Sequence, residues 1–179
     1  MIISGITGEG SPAQIRVSKA GEAYIKAETA IQVASAKGAA YCWPSLDTDI
    51  DAGDTRLFIK NTGDRYLKLT RAIFSPSNVA CKWDVGIGVA TTTATGTAVA
   101  AVAMNAGVAG VPESYVAWDD ETAVADATKM FAVMSSTVDS LVVPLDGIVL
   151  PKNSYIQINQ KTESTSGQVA VFGYFTDEA

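Results

Sequence analysis

The sequence predicts an all-β protein: a single antiparallel β-sandwich, jelly-roll-like, with little helix and an extended N-terminal arm. Three observations carry that expectation. Apolar and polar residues alternate at period two in short runs, most plainly at 57–60, 67–70, 83–89, 155–160 and 168–175, the pattern of strands with one buried face. Turn residues punctuate these runs, as in Asn61-Thr62-Gly63-Asp64, Pro144-Leu145-Asp146-Gly147 and Pro151-Lys152-Asn153. The composition is rich in Ala, Val, Thr and Gly and poor in Leu, which suits strands and turns better than helical bundles. A chain of 179 residues is one domain in length and buries roughly 70% of its unfolded surface without needing disulfides or metals.

In chain order, residues 1–13 carry glycine-centred breaks and Pro12, and they predict an arm preceding a sandwich domain at 14–179. Ile2, Ile3 and Ile6 on that arm are expected partner contacts, because three isoleucines left in water are a liability in a soluble chain. Strands follow at 14–18 and 22–29, with Ala20-Gly21 as the turn. The segment 30–37 fits a helical turn as well as a strand, and Gly38 ends it. Residues 39–46 are aromatic and extended, and Pro44 places them at a sheet edge or a bulge. A polar loop at 47–54 leads into 54–74, which predicts a β-hairpin closed at 61–64. Past the Ser75-Pro76-Ser77-Asn78 turn, 80–90 alternates around Trp83, Val85, Ile87 and Val89. Gly86 and Gly88 share its other face, as where a strand lies under a neighbouring backbone or sheet. The uncharged stretch 91–110 is too rich in Thr and Gly, and too poor in Leu and Ile, for a membrane span; it predicts a loop and then a strand at 98–104. A short helix near 120–129 and strands at 129–135, 140–143, 148–150, 155–160 and 168–175 complete the reading. The expected core holds Leu57, Ile59, Leu67, Leu69, Trp83, Val85, Ile156, Ile158, Val169 and Val171.

The chemistry is defined mostly by what is missing. There is no histidine, which removes Ser-His-Asp and Cys-His catalysis and His-based zinc sites. A net charge of −6, without a Lys/Arg cluster, argues against a nucleic-acid partner. Cys42 and Cys81 sit in apolar strand-like contexts and predict buried free thiols, with a disulfide as the alternative. The N-terminus shows no basic and apolar leader, which implies synthesis in a cytoplasm. Asp47, Asp49, Asp51 and Asp54 alternate as calcium ligands do, but Ala52 and Phe58 stand where a calcium loop needs Gly and Glu; a solvated turn is the simpler expectation. The acidic group Glu113, Asp119, Asp120, Glu121 and Asp126 is a weak candidate for paired carboxylates. Trp43, Tyr115 and Trp118 form a candidate sugar-stacking platform, set against their more usual place in a core. No cofactor and no catalytic residue is expected.

Several stretches resemble small virion structural proteins of tailed bacteriophages: GEAYIKAET, LFIKNTGDRYLKLTRAIF, TGTAVAAVAMNAG and PLDGIVLPKNSYIQINQ…GQVAVFGYF. The resemblance spans most of 16–175. It implies a jelly-roll or related sandwich that decorates the outer capsid surface as a non-enzymatic cement protein. It further implies a homo-oligomer, a trimer at three-fold positions, with the major capsid protein as partner and neither nucleic acid nor membrane involved. The alternative it leaves is a receptor- or glycan-binding module of a head fibre or tail, or another neck or tail component.

Overall fold

The computed structural model describes residues 2–6, 12–17, 23–45, 55–75, 80–89, 96–107, 115–119, 127–162 and 167–178. The chain begins with β1 (Ile2–Ile6), β2 (Pro12–Val17) and β3 (Ala23–Ala27), followed by α1 (Ala30–Ala36) and β4 (Ala40–Pro44). Next come β5 (Thr55–Asn61), β6 (Tyr66–Phe74), β7 (Lys82–Val89), β8 (Thr97–Ala98) and β9 (Val102–Ala103). The remaining strands are β10 (Tyr115–Asp119), β11 (Thr128–Met134), β12 (Leu141–Pro144), β13 (Val149–Leu150), β14 (Ser154–Gln160) and β15 (Val169–Thr176). Strands β11-β7-β14-β5-β10-β8 form a first sheet, and β12-β6-β15-β4-β9 a second, with β13 also paired to β6. All described pairings are antiparallel. From β4 to β7 each strand lies in the sheet opposite its predecessor, and the chain crosses again from β11 to β12 and from β14 to β15. This is the interleaving of a jelly roll. The segments β8, β9 and β10 are inserted between β7 and β11 and widen both sheets along one edge.

The core is the space between the sheets. All ten residues expected there from alternation lie in one buried cluster. The register explains its continuity: Ile87, Ile156, Ile59 and Ala117 stand side by side across the first sheet. Aromatic rings then bridge the layers. Trp43 of the second sheet meets Tyr115 of the first at 5.7 Å, and Phe74 meets Trp83 at 5.4 Å, tilted or edge-on as ring quadrupoles favour. The buried Trp83 indole donates to Ser135 Oγ at 3.0 Å, so its polar atom enters the interior with a partner.

The expected hairpin at 54–74 is not one. Strands β5 and β6 belong to different sheets, β5 pairing with β14 and β10, and β6 with β15, β12 and β13. Alternation states which residues share a buried face, but not whether two such faces lie side by side or face each other. Here Leu57 and Ile59 pack across the core from Leu67 and Leu69. The corner is held by the buried Asn61, whose Nδ2 donates to the carbonyls of Arg65 (2.6 Å) and Leu150 (2.9 Å), while its Oδ1 accepts from Gly63 N–H (3.1 Å).

Other differences have equally local causes. The segment left open between helix and strand is the helix α1. Thr29 and Gln32 close it with a capping box, and Gly38 leaves it at φ +71°. The strand expected at 98–104 is split into β8 and β9 because the chain changes sheets between them. Thr128 and Lys129 are in β11 and Ala127 is in no helix; the rest of the helix expected near 120–129 lies outside the described residues. The boundary expected between an arm and a sandwich, after residue 13, falls inside β2, which pairs with β1 on one side and β3 on the other. Register aligns Ile3, Ile15 and Ile25 in one row of this N-terminal sheet.

The middle of the first sheet is covered on its outer side as well. Phe58 and Tyr155 are fully buried there, with ring centroids 4.9 Å apart, and Val116, Trp118 and Ala127 pack on them. The two glycines of β7 make this possible. A Cβ on Gly88 would stand 2.5 Å from the Tyr155 hydroxyl oxygen, and one on Gly86 would stand 3.1 Å from both the Ala127 Cβ and the Thr128 carbonyl oxygen. The expectation that Gly86 and Gly88 lie beneath a neighbour is met by a ring and a backbone. Gly88→Ala is therefore expected to cost about 1–3 kcal/mol through overpacking. Leu69→Ala and Ile158→Ala, each opening the core, are expected to cost about 2–5 kcal/mol. Chemical denaturation of the three variants checks both values.

Candidate interaction surface

Outward positions of the second sheet are set by the same alternation that fills the core. Along β15, Val169, Val171 and Phe175 turn inward, leaving Ala170, Phe172 and Tyr174 outside. Hydrogen-bonded register then builds two neighbouring rows across the strands. The first row is Val142, Ile73, Ala170 and Pro44. The second is Pro144, Arg71, Phe172, Cys42 and Val102. Val142 and Val102, at opposite ends, are each 56% exposed. The one charge in these rows is Arg71, whose guanidinium lies over the Phe172 ring at 4.6 Å, where the ring face attracts it. An antiparallel sheet with one face on the core ordinarily turns a polar face to water. This one carries two largely apolar rows, with Lys68 beside Tyr174 beyond them.

A second uncovered surface runs along the edge formed by β11 and the link to β12. Phe131 and Val133 pack on the core, while Met130, Met134 and Val138 are exposed, Val138 at 79%. Met130 sits where the register slips between Lys129 and Phe131, a bulge of the kind that turns an edge away from further pairing. Lys129 reaches back to Asp84 at 2.7 Å. At the opposite edge, β8 and β9 have two residues each, too short to template another strand.

The residues singled out from sequence are not gathered into one site. Asp47, Asp49, Asp51 and Asp54 lie outside the described residues, as do Glu113, Asp120, Glu121 and Asp126. Among the described residues no group of three or more Cys, Asp or Glu stands ready for a metal ion. Asp119 is fully buried on the core side of β10, 3.6 Å from the equally buried guanidinium of Arg56. A bulge in β5 opposite Ile158 and Asn159 sets Arg56 there. This is an interior ion pair, and the proposed carboxylate pairing loses its one described member to it. The sugar platform is also dismantled: Trp43 is buried, Tyr115 packs against it, and Trp118 stands on the other face of the first sheet. Ile2, Ile3 and Ile6 fall on β1, paired with β2. The outer face of the second sheet was missed from sequence, since its rows exist only once four strand registers are known. No helix among the described residues is long and apolar enough to cross a membrane.

The cysteines are both free and lie on opposite sides of the second sheet's layer, Cys81 in the core and Cys42 outside. Burial pushes both thiols up from the ordinary 9.0, offset in part by the positive charge of Arg71 at Cys42, and at Cys81 by a backbone hydrogen bond with Thr162 and then the charge of Arg56. A thiol whose pKa is raised in the fold favours the folded state fully below the unfolded value, and that contribution is lost as pH climbs from there through the folded value. Denaturation midpoints are accordingly expected to fall above about pH 9, and to fall less in Cys81→Ala. Asp119→Ala, which strands the buried Arg56 without this carboxylate, is expected to lower stability by about 3–5 kcal/mol; a calorimetric melt reads it directly.

Comparison with protein-family models, with curated proteins and with solved structures finds no match for this chain.

Proposed function

We propose that this chain is a non-enzymatic structural protein of a bacteriophage virion, of the capsid decoration type. It binds the major capsid protein on the outer surface of the shell as a homo-oligomer, a trimer at three-fold positions, and stabilises the shell. The observation that carries this reading is the pair of separate apolar surfaces, the outer face of the second sheet and the Met130–Met134–Val138 edge. Catalytic clefts collect titratable groups with shifted pKa values. Protein interfaces collect apolar and aromatic side chains, with arginine as the favoured charge and little lysine or glutamate at the centre. The two rows on the second sheet's outer face have that second composition. A decoration protein has two kinds of neighbour, its own copies and the shell, and two uncovered surfaces suit that arrangement. The resemblance of the sequence to phage virion proteins supplies the kind of particle.

The test is partition. Purified chain is mixed with expanded capsids lacking it and, separately, with host cells. Co-sedimentation with capsids and a higher temperature of shell disruption are expected. Retention by cells with no affinity for capsids would transfer the chain to a receptor- or glycan-binding module of a fibre or tail.

A further inference from the structure

We infer that the apolar strip wrapped round the β11–β12 edge is the contact between neighbouring copies of this chain, joined head to tail in a closed ring of three with Val138 at its axis. The inference rests on the homo-oligomer proposed above, to which it gives a contact surface and a symmetry, and not on the identity of the particle.

Strand β11 ends the first sheet and β12 ends the second, and the link at 135–140 carries the chain from one to the other. Seven large apolar side chains are exposed among the described residues, and four of them lie on this edge: Met130 at 45%, Met134 at 62%, Val138 at 79% and Val142 at 56%. They are spread round it. Met134 alternates with the core-packed Phe131 and Val133, which puts it on the outer side of the first sheet. Val142 stands on the outer side of the second, beside Ile73. Val138 is the tip between them, and the tip is held in place. The buried Ser135 accepts from the Trp83 indole and donates its N–H to the Cys81 carbonyl at 2.8 Å. Ser136 Oγ accepts from the N–H groups of Val138 (3.0 Å) and Asp139 (3.2 Å). A tip already fixed in the single chain loses little conformational freedom on docking.

An edge with an apolar tip and two apolar flanks is a wedge, and a wedge fits a ring. One neighbour covers one flank and leaves the other in water, whereas two neighbours cover both and bring the tips together on the axis. Scaled to whole Met and Val residues, the four exposures come to about 400 Å² per copy, a large apolar patch for a monomer. Three copies together bury on the order of 1,200 Å² of apolar surface, the scale of a specific interface. The count of three comes from the proposed three-fold position; the strip itself calls for a ring. Charge selects the same arrangement. At −6 per chain, copies repel one another wherever charge is dense, and residues 130–143 hold one charged side chain, Asp139. Asp139 is exposed on the β12 side of the tip, and Lys82 is exposed beside Met134 on the first flank. Lys129 is paired with Asp84, and Arg71 lies over the Phe172 ring. Head-to-tail contact turns the Lys82 flank of one copy to the Asp139 flank of the next, while a two-fold contact between like flanks sets Lys82 against Lys82.

The experiment uses the full chain without capsids. Sedimentation equilibrium and native mass spectrometry give the mass across roughly 1 to 100 μM, and a trimer is expected. Val138→Lys, at a position already exposed, is expected to weaken association by about tenfold or more with far-UV circular dichroism unchanged. Lys82→Glu and Asp139→Lys are each expected to weaken it by about threefold, and the double variant to restore it. Oxidation by hydrogen peroxide, followed by peptide mass spectrometry, reads the strip directly. Met130 and Met134 are expected to form sulfoxide about tenfold more slowly in the trimer than in the Val138→Lys chain, and Met104, past β9 at the opposite edge, at the same rate in both. A monomer, a dimer or any other count overturns the inference, as does a trimer indifferent to Val138→Lys. Methionine oxidation indifferent to assembly, or a double charge swap that restores nothing, overturns it too. A monomer that still binds capsids overturns this ring alone; a trimer with the expected responses that ignores capsids overturns the capsid reading alone.

Discussion

The side chain of Asn61 is fully buried at the point where the chain leaves the first sheet and enters the second. Its amide donates to two carbonyls, Arg65 and Leu150, and its oxygen accepts from the turn at Gly63. Its own carbonyl accepts from Asn153 N–H at 2.7 Å, so one residue joins the 62–65 corner to the turn before β14. Asn153 takes the left-handed conformation there, at φ +66°, which asparagine tolerates better than most residues. Outside, Lys152 and Asp64 meet at 2.7 Å, an exposed pair that adds little by itself. Any apolar replacement of Asn61 leaves several of these groups dry and unpartnered, and each such loss is large relative to a marginal folding free energy. The corner keeps β5 and β6 a sheet spacing apart rather than a strand spacing apart. The face-to-face meeting of Leu57 and Ile59 with Leu67 and Leu69 follows from it.

Once that corner is fixed, the two sheets have different fates. The first is buried on both faces, with Phe58 and Tyr155 beneath a second, smaller cluster, and a polar set on the same side where Gln157 Nε2 donates to Thr55 Oγ1 (2.8 Å) and to Asn159 Oδ1 (2.7 Å). The central strands β5 and β14 are buried along almost their whole length, and β7 has given up two side chains to make room. The second sheet has less on its outer side: Ala40 is buried where α1 packs on β4 and β15, while Val142 and Val102 are exposed. Its outer face keeps the apolar character of an interior without the neighbours of one, which is the physical basis for assigning it a partner.

Much of the sandwich was legible because alternation is a direct statement about burial. Leu57, Trp83, Val85, Ile156, Ile158 and Val171 needed no tertiary information to be placed inside. Pairing was not legible in the same way. The pattern through Ile59 and Leu67 is identical for a hairpin and for a corner between sheets, and only the buried bonds of Asn61 separate them. The helix carried a readable signal in Thr29 followed three residues later by Gln32, a capping box whose apolar face is too short to stand out. Trp43 and Tyr115 do meet, but inside the core, and Trp118 faces the opposite way from Tyr115 on the same strand. The outer face escaped notice because Val142, Ile73, Ala170 and Pro44 come from four separate stretches of sequence.

The pairing of β15 also governs when this chain can become folded. β15 lies in the middle of the second sheet, between β6 and β4, and β14 lies in the middle of the first, between β7 and β5. Both central strands come from the last part of the chain, and their partners precede them by up to more than a hundred residues, as in Tyr174 opposite Ala40. Until the ribosome has released those closing strands, β4, β5, β6 and β7 hold exposed edges with nothing between them. Contacts of such long sequence separation form slowly, and unpaired strands are prone to wrong partners in the interval. The two sheets therefore cannot close until β14 and β15 have been made. Loss of the C-terminal strand would leave the other strands without a centre, however intact their own sequences.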